Sequence, residues 1–204
     1  MQGGRDMGQG NDNLAALIGS RICHDLISPI GAIHNGLELL DMAGAAEGPE
    51  MGLIADSVTN AEARIRYFRL AYGAAGDQQI ARSEVVAVLR GVSGGSRMSV
   101  EWAPLDAQPR TEVRLALLAV QCLETAMPYG GTVRITTDSG QWRVEGEAER
   151  MVIDPVLWGG LTDVRIDSDI TPALVQFGLL PAAAEDAGRD LRVQTSADRI
   201  EVTF

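Results

Sequence analysis

Lysine is absent from this 204-residue chain, and all 17 basic residues are arginine. The absence excludes a P-loop lysine, a Schiff-base lysine and a serine–lysine dyad. Cysteine is nearly absent too. Cys23 and Cys122 have no metal-ligand spacing, and each sits in an apolar helical pattern, so both read as buried free thiols. No apolar run approaches the ~20 residues that a membrane-spanning helix needs. The start, Met1 to Asp12, is polar and glycine-rich without an apolar signal region, which predicts a frayed terminus on a cytoplasmic protein. Positive charge is also short. A net charge of −11 argues against nucleic acid or an anionic membrane as a partner. Aromatic residues are few, but 46% of the residues are apolar, enough for a folded protein of one domain or two small ones.

What is present begins with Arg21-Ile22-Cys23-His24-Asp25-Leu26-Ile27-Ser28-Pro29-Ile30-Gly31-Ala32-Ile33. A histidine is followed at once by an acid, and a proline comes five residues later inside a helical pattern. The segment 13–42 reads as one long helix, capped by Asn11, Asp12 or Asn13 and ended by Gly44. Leu14, Ile18, Ile22, Leu26, Ile30, Ile33, Leu37 and Leu40 step by three and four and make one apolar stripe. Arg21, His24, Ser28, Gly31, Asn35 and Glu38 step in the same way on the opposite face. His24 therefore faces solvent or a partner, and Pro29 should bend the helix just beyond it. His34 lies about 100° round from His24 and reads as a border residue.

A second helix is expected over 49–72, with Pro49 in its first turn. Met51, Ile54, Val58, Ala61, Ile65, Phe68 and Tyr72 repeat three–four–three–four, the seam of a coiled coil. Two such helices cannot enclose a core, but two hairpins can, as a four-helix bundle. A homodimer through the hairpin is expected, in preference to a hairpin packed on its own downstream domain.

Gly73 to Asp77 reads as a linker. Beyond it, Ser83 should cap a short helix to Leu89, Ser99–Trp102 reads as a strand, and Thr111 opens an apolar helix to Ala126. Thr132–Thr137 and Trp142–Glu147 alternate as a hairpin about Asp138-Ser139-Gly140. Thr171–Ala187 reads as a helix stopped by Gly188, and 191–195 with 199–204 as a final hairpin. The fold class is α+β: a helical hairpin, then one sheet covered by helices. The expected division is 1–12 flexible, 13–76 helical hairpin, and 77–204 sandwich.

His24-Asp25-Leu26 with Pro29 resembles the H-box of histidine-kinase dimerisation domains, and the run from Cys23 to Glu38 is similar to the histidine phosphotransferases of the ChpT type. The stretch Leu118 to Gly131 resembles the N-box of a kinase ATP-binding domain, with its nucleotide chemistry removed. Leu118 and Cys122 stand where kinases place asparagines, and leucine offers no oxygen to a metal. Glu145-Gly146-Glu147-Ala148-Glu149 stands where an Asp-x-Gly-x-Gly box is expected, and Val175-Gln176-Phe177-Gly178-Leu179 retains a single glycine. A phosphate loop needs several glycines for close backbone approach.

The resemblance implies a phosphotransferase of a multistep relay, with a phosphohistidine intermediate and no ATP-dependent kinase activity. His24 would take a phosphoryl group from a receiver-domain aspartate of a hybrid histidine kinase and pass it to response-regulator receivers controlling the cell cycle. No resident cofactor is implied, because Mg²⁺ would arrive on the receiver. Asp25 would accept a hydrogen bond from the imidazole or orient the partner, Ser28 would contact phosphate oxygens or the receiver backbone, and Arg21 would steady the phosphoryl group. Asn35, Arg64 and Arg66 would serve docking, while Arg69 and Glu38 read as a solvated face. Two alternatives stay open: a non-catalytic adaptor or kinase inhibitor that binds receivers, and an active kinase with an aberrant ATP site.

Overall fold

The computed structural model describes residues 3–43, 49–73, 76–94, 96–162 and 170–204. Helix α1 spans Gly3–Ala43 and α2 spans Pro49–Ala71, and the two pack side by side as a hairpin. α1 starts well before Asn13, so the caps expected at Asn11–Asn13 are interior helical positions. It continues unbroken through the buried Pro29, while the stop expected at Gly44 lies outside the described residues.

The second part follows in the order β1 (Gln79–Ile80), α3 (Arg82–Ser93), β2 (Met98–Trp102), β3 (Gln108–Pro109), α4 (Arg110–Ala126), β4 (Gly131–Asp138), β5 (Gln141–Glu147), α5 (Pro155–Gly160), a 3-10 turn at Pro172–Leu174, α6 (Val175–Asp186), β6 (Arg192–Thr195) and β7 (Arg199–Thr203). Among the described residues, one sheet runs β2-β4-β5-β7-β6, with β2 parallel to β4 and the other pairs antiparallel. β1 pairs with β3 as a separate two-stranded ribbon. The α+β class and its hairpin-then-sandwich order are as the sequence predicts.

Alternation builds the sheet's two faces. Val133, Ile135, Trp142, Val144, Ile200 and Val202 point inward and are buried. Their neighbours carry charge and pair across strands on the other face, as in Arg134 with Glu101 and Arg199 with Glu145. The β4–β5 turn needs left-handed backbone at both central residues, supplied by Ser139 (φ 51°) and Gly140 (φ 82°). Helix α4 supplies most of the lid on this core, and Leu115, Leu117, Leu118 and Leu123 are all almost fully buried. Two details differ from the sequence reading. Helix α3 begins after Ala81, with no side-chain cap from Ser83, and α4 begins after Pro109 instead of at Thr111.

The hairpin does pack on its own downstream half, through its far end. Tyr67 is buried and its hydroxyl donates to the Leu117 carbonyl at 2.7 Å. Tyr72 donates to Gln121 Oε1 at 3.1 Å. From α4, Arg110 donates to the Arg69 carbonyl at 2.6 Å and Arg114 to the Ala71 carbonyl at 3.2 Å, capping the last turn of α2. Helices α2 and α3 touch so closely that a Cβ at Gly91 would overlap the Ala63 methyl. The single glycine left at Gly178 likewise makes room for the hairpin, since a Cβ there would meet Leu14 Cδ2 at 3.3 Å.

Candidate functional site around His24

His24 stands on the outer face of α1 with 85% of its side chain exposed. Its neighbour Asp25, about 100° further round the helix, turns toward α2 and keeps only 11% exposure. Each Asp25 oxygen has its own partner. Oδ1 lies 3.0 Å from His24 Nδ1. Oδ2 accepts from Arg21 Nε at 2.8 Å, an i,i+4 pair along α1, with an Arg64 guanidinium nitrogen 3.8 Å away. A carboxylate so nearly buried needs such charge-assisted partners.

The arrangement orders the imidazole. An ionised carboxylate can only accept, so the proton between the two groups belongs to Nδ1. Nε2 is then left with its lone pair, directed away from Asp25 and outward. The side chain is thus oriented by Asp25 while most of its surface stays open.

Arg21 departs from the sequence reading. Instead of reaching outward beside His24, it turns inward, with its side chain 17% exposed. Its Nε binds Asp25 and another guanidinium nitrogen donates to the Ala173 carbonyl at 2.7 Å. The cause is the i,i+4 spacing, which offers Arg21 a partly buried carboxylate in place of water. Burial works against its charge, but the Asp25 hydrogen bond and charge outweigh it and raise the guanidinium pKa.

Arg64 is gathered to the site from α2, its Nε donating to Asn60 Oδ1 at 2.8 Å. Arg66 is not: it is exposed and lies 3.4 Å from Glu62 on its own helix. Ser28 is exposed one turn beyond His24, and Asn35 is exposed further along α1. His34 lies 3.3 Å from Glu38, and Arg69 lies 3.6 Å from Glu84. Cys122 is buried as expected, and burial pushes its thiol pKa well up. Cys23 is instead exposed, because its position just before His24 faces away from α2.

Two residues escaped the sequence reading. Gln121 and Glu124, on α4, line a cleft of about 60 Å³ together with Arg21, Asp25, Arg64 and Tyr67. Burial raises the Glu124 carboxyl pKa, with the Asp25 charge adding and Arg21 and Arg64 opposing. The only available signal was two polar side chains in the apolar second half of α4.

The nucleotide-box positions are filled from within. Leu118 and Cys122 are fully buried, and Gln176 Nε2 donates to Thr125 Oγ1 at 3.0 Å where α6 meets α4. Gly146 serves packing, since a Cβ there would meet Leu123 Cδ2 at 2.9 Å. Among the described residues no group of three or more His, Cys, Asp or Glu side chains could hold a metal ion, and no helix is long and apolar enough to cross a membrane.

Comparison with known proteins places this geometry in context. The protein phosphotransferase ChpT of Brucella abortus (strain 2308) is 40% identical over 195 residues, covering 92% of this chain and 93% of that protein. The solved structure of a bacterial phosphotransferase superposes with a TM-score of 0.74 at 32% identity, covering 94% of this chain and 95% of the other. The family described as histidine phosphotransferase C-terminal domain matches residues 82–199. With a match over more than half its length and a relative this similar along nearly all of it, the chain belongs to the histidine phosphotransferase family.

Proposed function

We propose that this histidine phosphotransferase carries its phosphoryl group on Nε2 of His24. The donor is the phospho-aspartate of a hybrid-kinase receiver domain, and the acceptor is the aspartate of a response-regulator receiver. The observation that carries the reading is the His24 Nδ1 contact with Asp25 at 3.0 Å, on an imidazole otherwise open to a partner. In the forward step the Nε2 lone pair forms an N–P bond while the acyl-phosphate P–O bond breaks. The partner's aspartate leaves as a carboxylate, and the ring becomes cationic, keeping its Nδ1 proton, which it donates to Asp25. Onward transfer reverses the step with a second carboxylate attacking phosphorus. Mg²⁺ held by the receiver would supply charge neutralisation to the phosphoryl group.

Ser28 and Asn35 lie on the same exposed face and serve the receiver's approach. Arg21 and Arg64 act behind Asp25 rather than on phosphate. Ile30 and Leu37 of α1 with Met51, Val58 and Ile65 of α2 remain exposed. We assign that surface to a homodimeric four-helix bundle in a cytoplasmic protein.

The test uses purified protein with labelled ATP, then with a labelled phospho-receiver. Label taken from the receiver and not from ATP, and lost in His24→Ala, is the expected result. Label that persists in His24→Ala removes the site. Binding of the receiver without any labelling points instead to an adaptor.

A further inference from the structure

We propose that the downstream half positions the phosphoacceptor: the carbonyl of Ala173, in the 3-10 turn before α6, holds the Arg21 guanidinium, and Arg21 in turn holds Asp25 in the orientation that meets the His24 imidazole. The inference rests on the reading of His24 as the phosphoacceptor, and it makes Arg21 a positioning residue.

Four groups are joined in series. The Ala173 carbonyl accepts from one guanidinium nitrogen of Arg21 at 2.7 Å. Arg21 Nε donates to Asp25 Oδ2 at 2.8 Å, and Asp25 Oδ1 stands 3.0 Å from His24 Nδ1. A lone i,i+4 pair on a helix surface adds little and leaves a long side chain free to turn. The second bond removes that freedom, because a planar guanidinium gripped at two of its nitrogens has a fixed plane.

The far end of the series is firm. The Leu174 amide donates to the Thr171 carbonyl at 2.9 Å and closes the turn, while Pro172 fixes one of its dihedrals. Leu174 packs against the core, and Val175, Gln176 and Phe177 behind it are almost fully buried. On the other side, Leu14, Leu17, Ile18 and Ile22 of α1 rest against the same core. The turn and α1 thus keep a set separation, and Arg21 spans it.

Among the described residues Arg21 is the one hydrogen-bond donor to Oδ2, since Arg64 stays 3.8 Å away, too far for a hydrogen bond. Without the Arg21 grip the carboxylate swings toward water and Oδ1 leaves Nδ1. The ring then loses the acceptor that keeps its proton on Nδ1. More of it carries the proton on Nε2, where it blocks attack on phosphorus. A domain whose nucleotide boxes are filled from within therefore acts on the transfer through what it holds.

The decisive measurement is the His24 tautomer, read by long-range proton–nitrogen correlation in ¹⁵N-labelled protein and paired with the rate of label uptake from a phospho-receiver. Two variants interrupt the series at different elements. Arg21→Lys keeps the charge but replaces the two-armed plane with a single ammonium nitrogen that cannot span both partners. Pro172→Gly loosens the turn that presents the Ala173 carbonyl and leaves α1 untouched. Each should lower the Nδ1–H fraction and slow uptake several-fold at saturating receiver, with the receiver concentration for half-maximal rate unchanged. Combined, they should do no more than Arg21→Lys alone, because the link is already cut. A wild-type tautomer ratio in either single variant overturns the inference, as does a Pro172→Gly effect that adds in full to that of Arg21→Lys. A change confined to the half-maximal concentration makes Arg21 a docking residue and overturns it too. If label persists in His24→Ala while both variants still shift the tautomer, the positioning stands and only the acceptor assignment falls.

Discussion

At the scale of single residues, Asp25 divides its two oxygens between different partners. One orders the imidazole and the other anchors the hairpin through Arg21 and Arg64. The acid beside the histidine was legible in the sequence, because it follows from adjacency on one helix. The inward turn of Arg21 was not, because helical projection gives the direction of a Cβ, while a long side chain goes where a carboxylate is. Glu124 was invisible for a stronger reason: the residues that line the cleft with it lie on other helices. A second acid–base consequence lies at Tyr72, whose hydroxyl pKa is pushed up to about 12, chiefly by burial, against the pull of Arg21 and Gln121. Its unfolded value is near 10, so the folded state holds the proton more tightly. Stability from this group is therefore complete below pH ~10 and is lost as pH rises toward ~12. Tyr67, buried and raised further, acts in the same direction. Tyr72→Phe should give a shallower fall in urea-unfolding free energy between pH 9.5 and 11.5 than the wild type (about that window, from the tyrosine values above). An equal slope would show that Tyr72 titrates as in the unfolded chain.

Among the elements, period and punctuation account for what could be read. The heptad of α2, the apolar run of α4 and the β4–β5 hairpin all appear close to their expected bounds. The strands β1 and β3 have two residues each, too few for any alternation to register. Helix α5 did carry a signal. Asp154 precedes Pro155 and caps the helix, accepting from the Val156 amide at 2.9 Å and the Leu157 amide at 3.3 Å. At six residues it is too short for periodicity, and only the cap marks it. The α2–α3 contact is set by an absence. Gly91 has no side chain where Ala63 needs space, and Ala63 sits on a packed helix that cannot yield. Gly91→Val should cost about 1–3 kcal/mol in urea unfolding, as overpacking does. Ala63→Gly in the same protein should restore part of that loss. No cost in Gly91→Val would mean that the helices stand further apart.

For the whole molecule, the proposed bundle would give the hairpin two clients. One edge packs on its own downstream half, while Met51, Val58 and Ile65 are exposed, the surface assigned above to a second copy. The sequence reading weighed these as alternatives, but one amphipathic pair has surface enough for both. Val58→Glu with Ile65→Glu should convert the dimer into a monomer, read as a halved mass in light scattering at micromolar concentration. A wild-type protein already at the monomer mass would dismiss the bundle. The junction has a further effect. Helix α2 does not finish itself: the carbonyl of Ala71 is closed by Arg114 from α4, and Tyr67, Phe68 and Leu70 fill the floor beneath. Severed near residue 80, one fragment would keep a ragged helix end and the other an open apolar trench. The two halves should accordingly melt as one cooperative unit with a single heat-absorption peak, so that the seam visible in the amino-acid pattern marks a division of labour and not a line along which the protein comes apart.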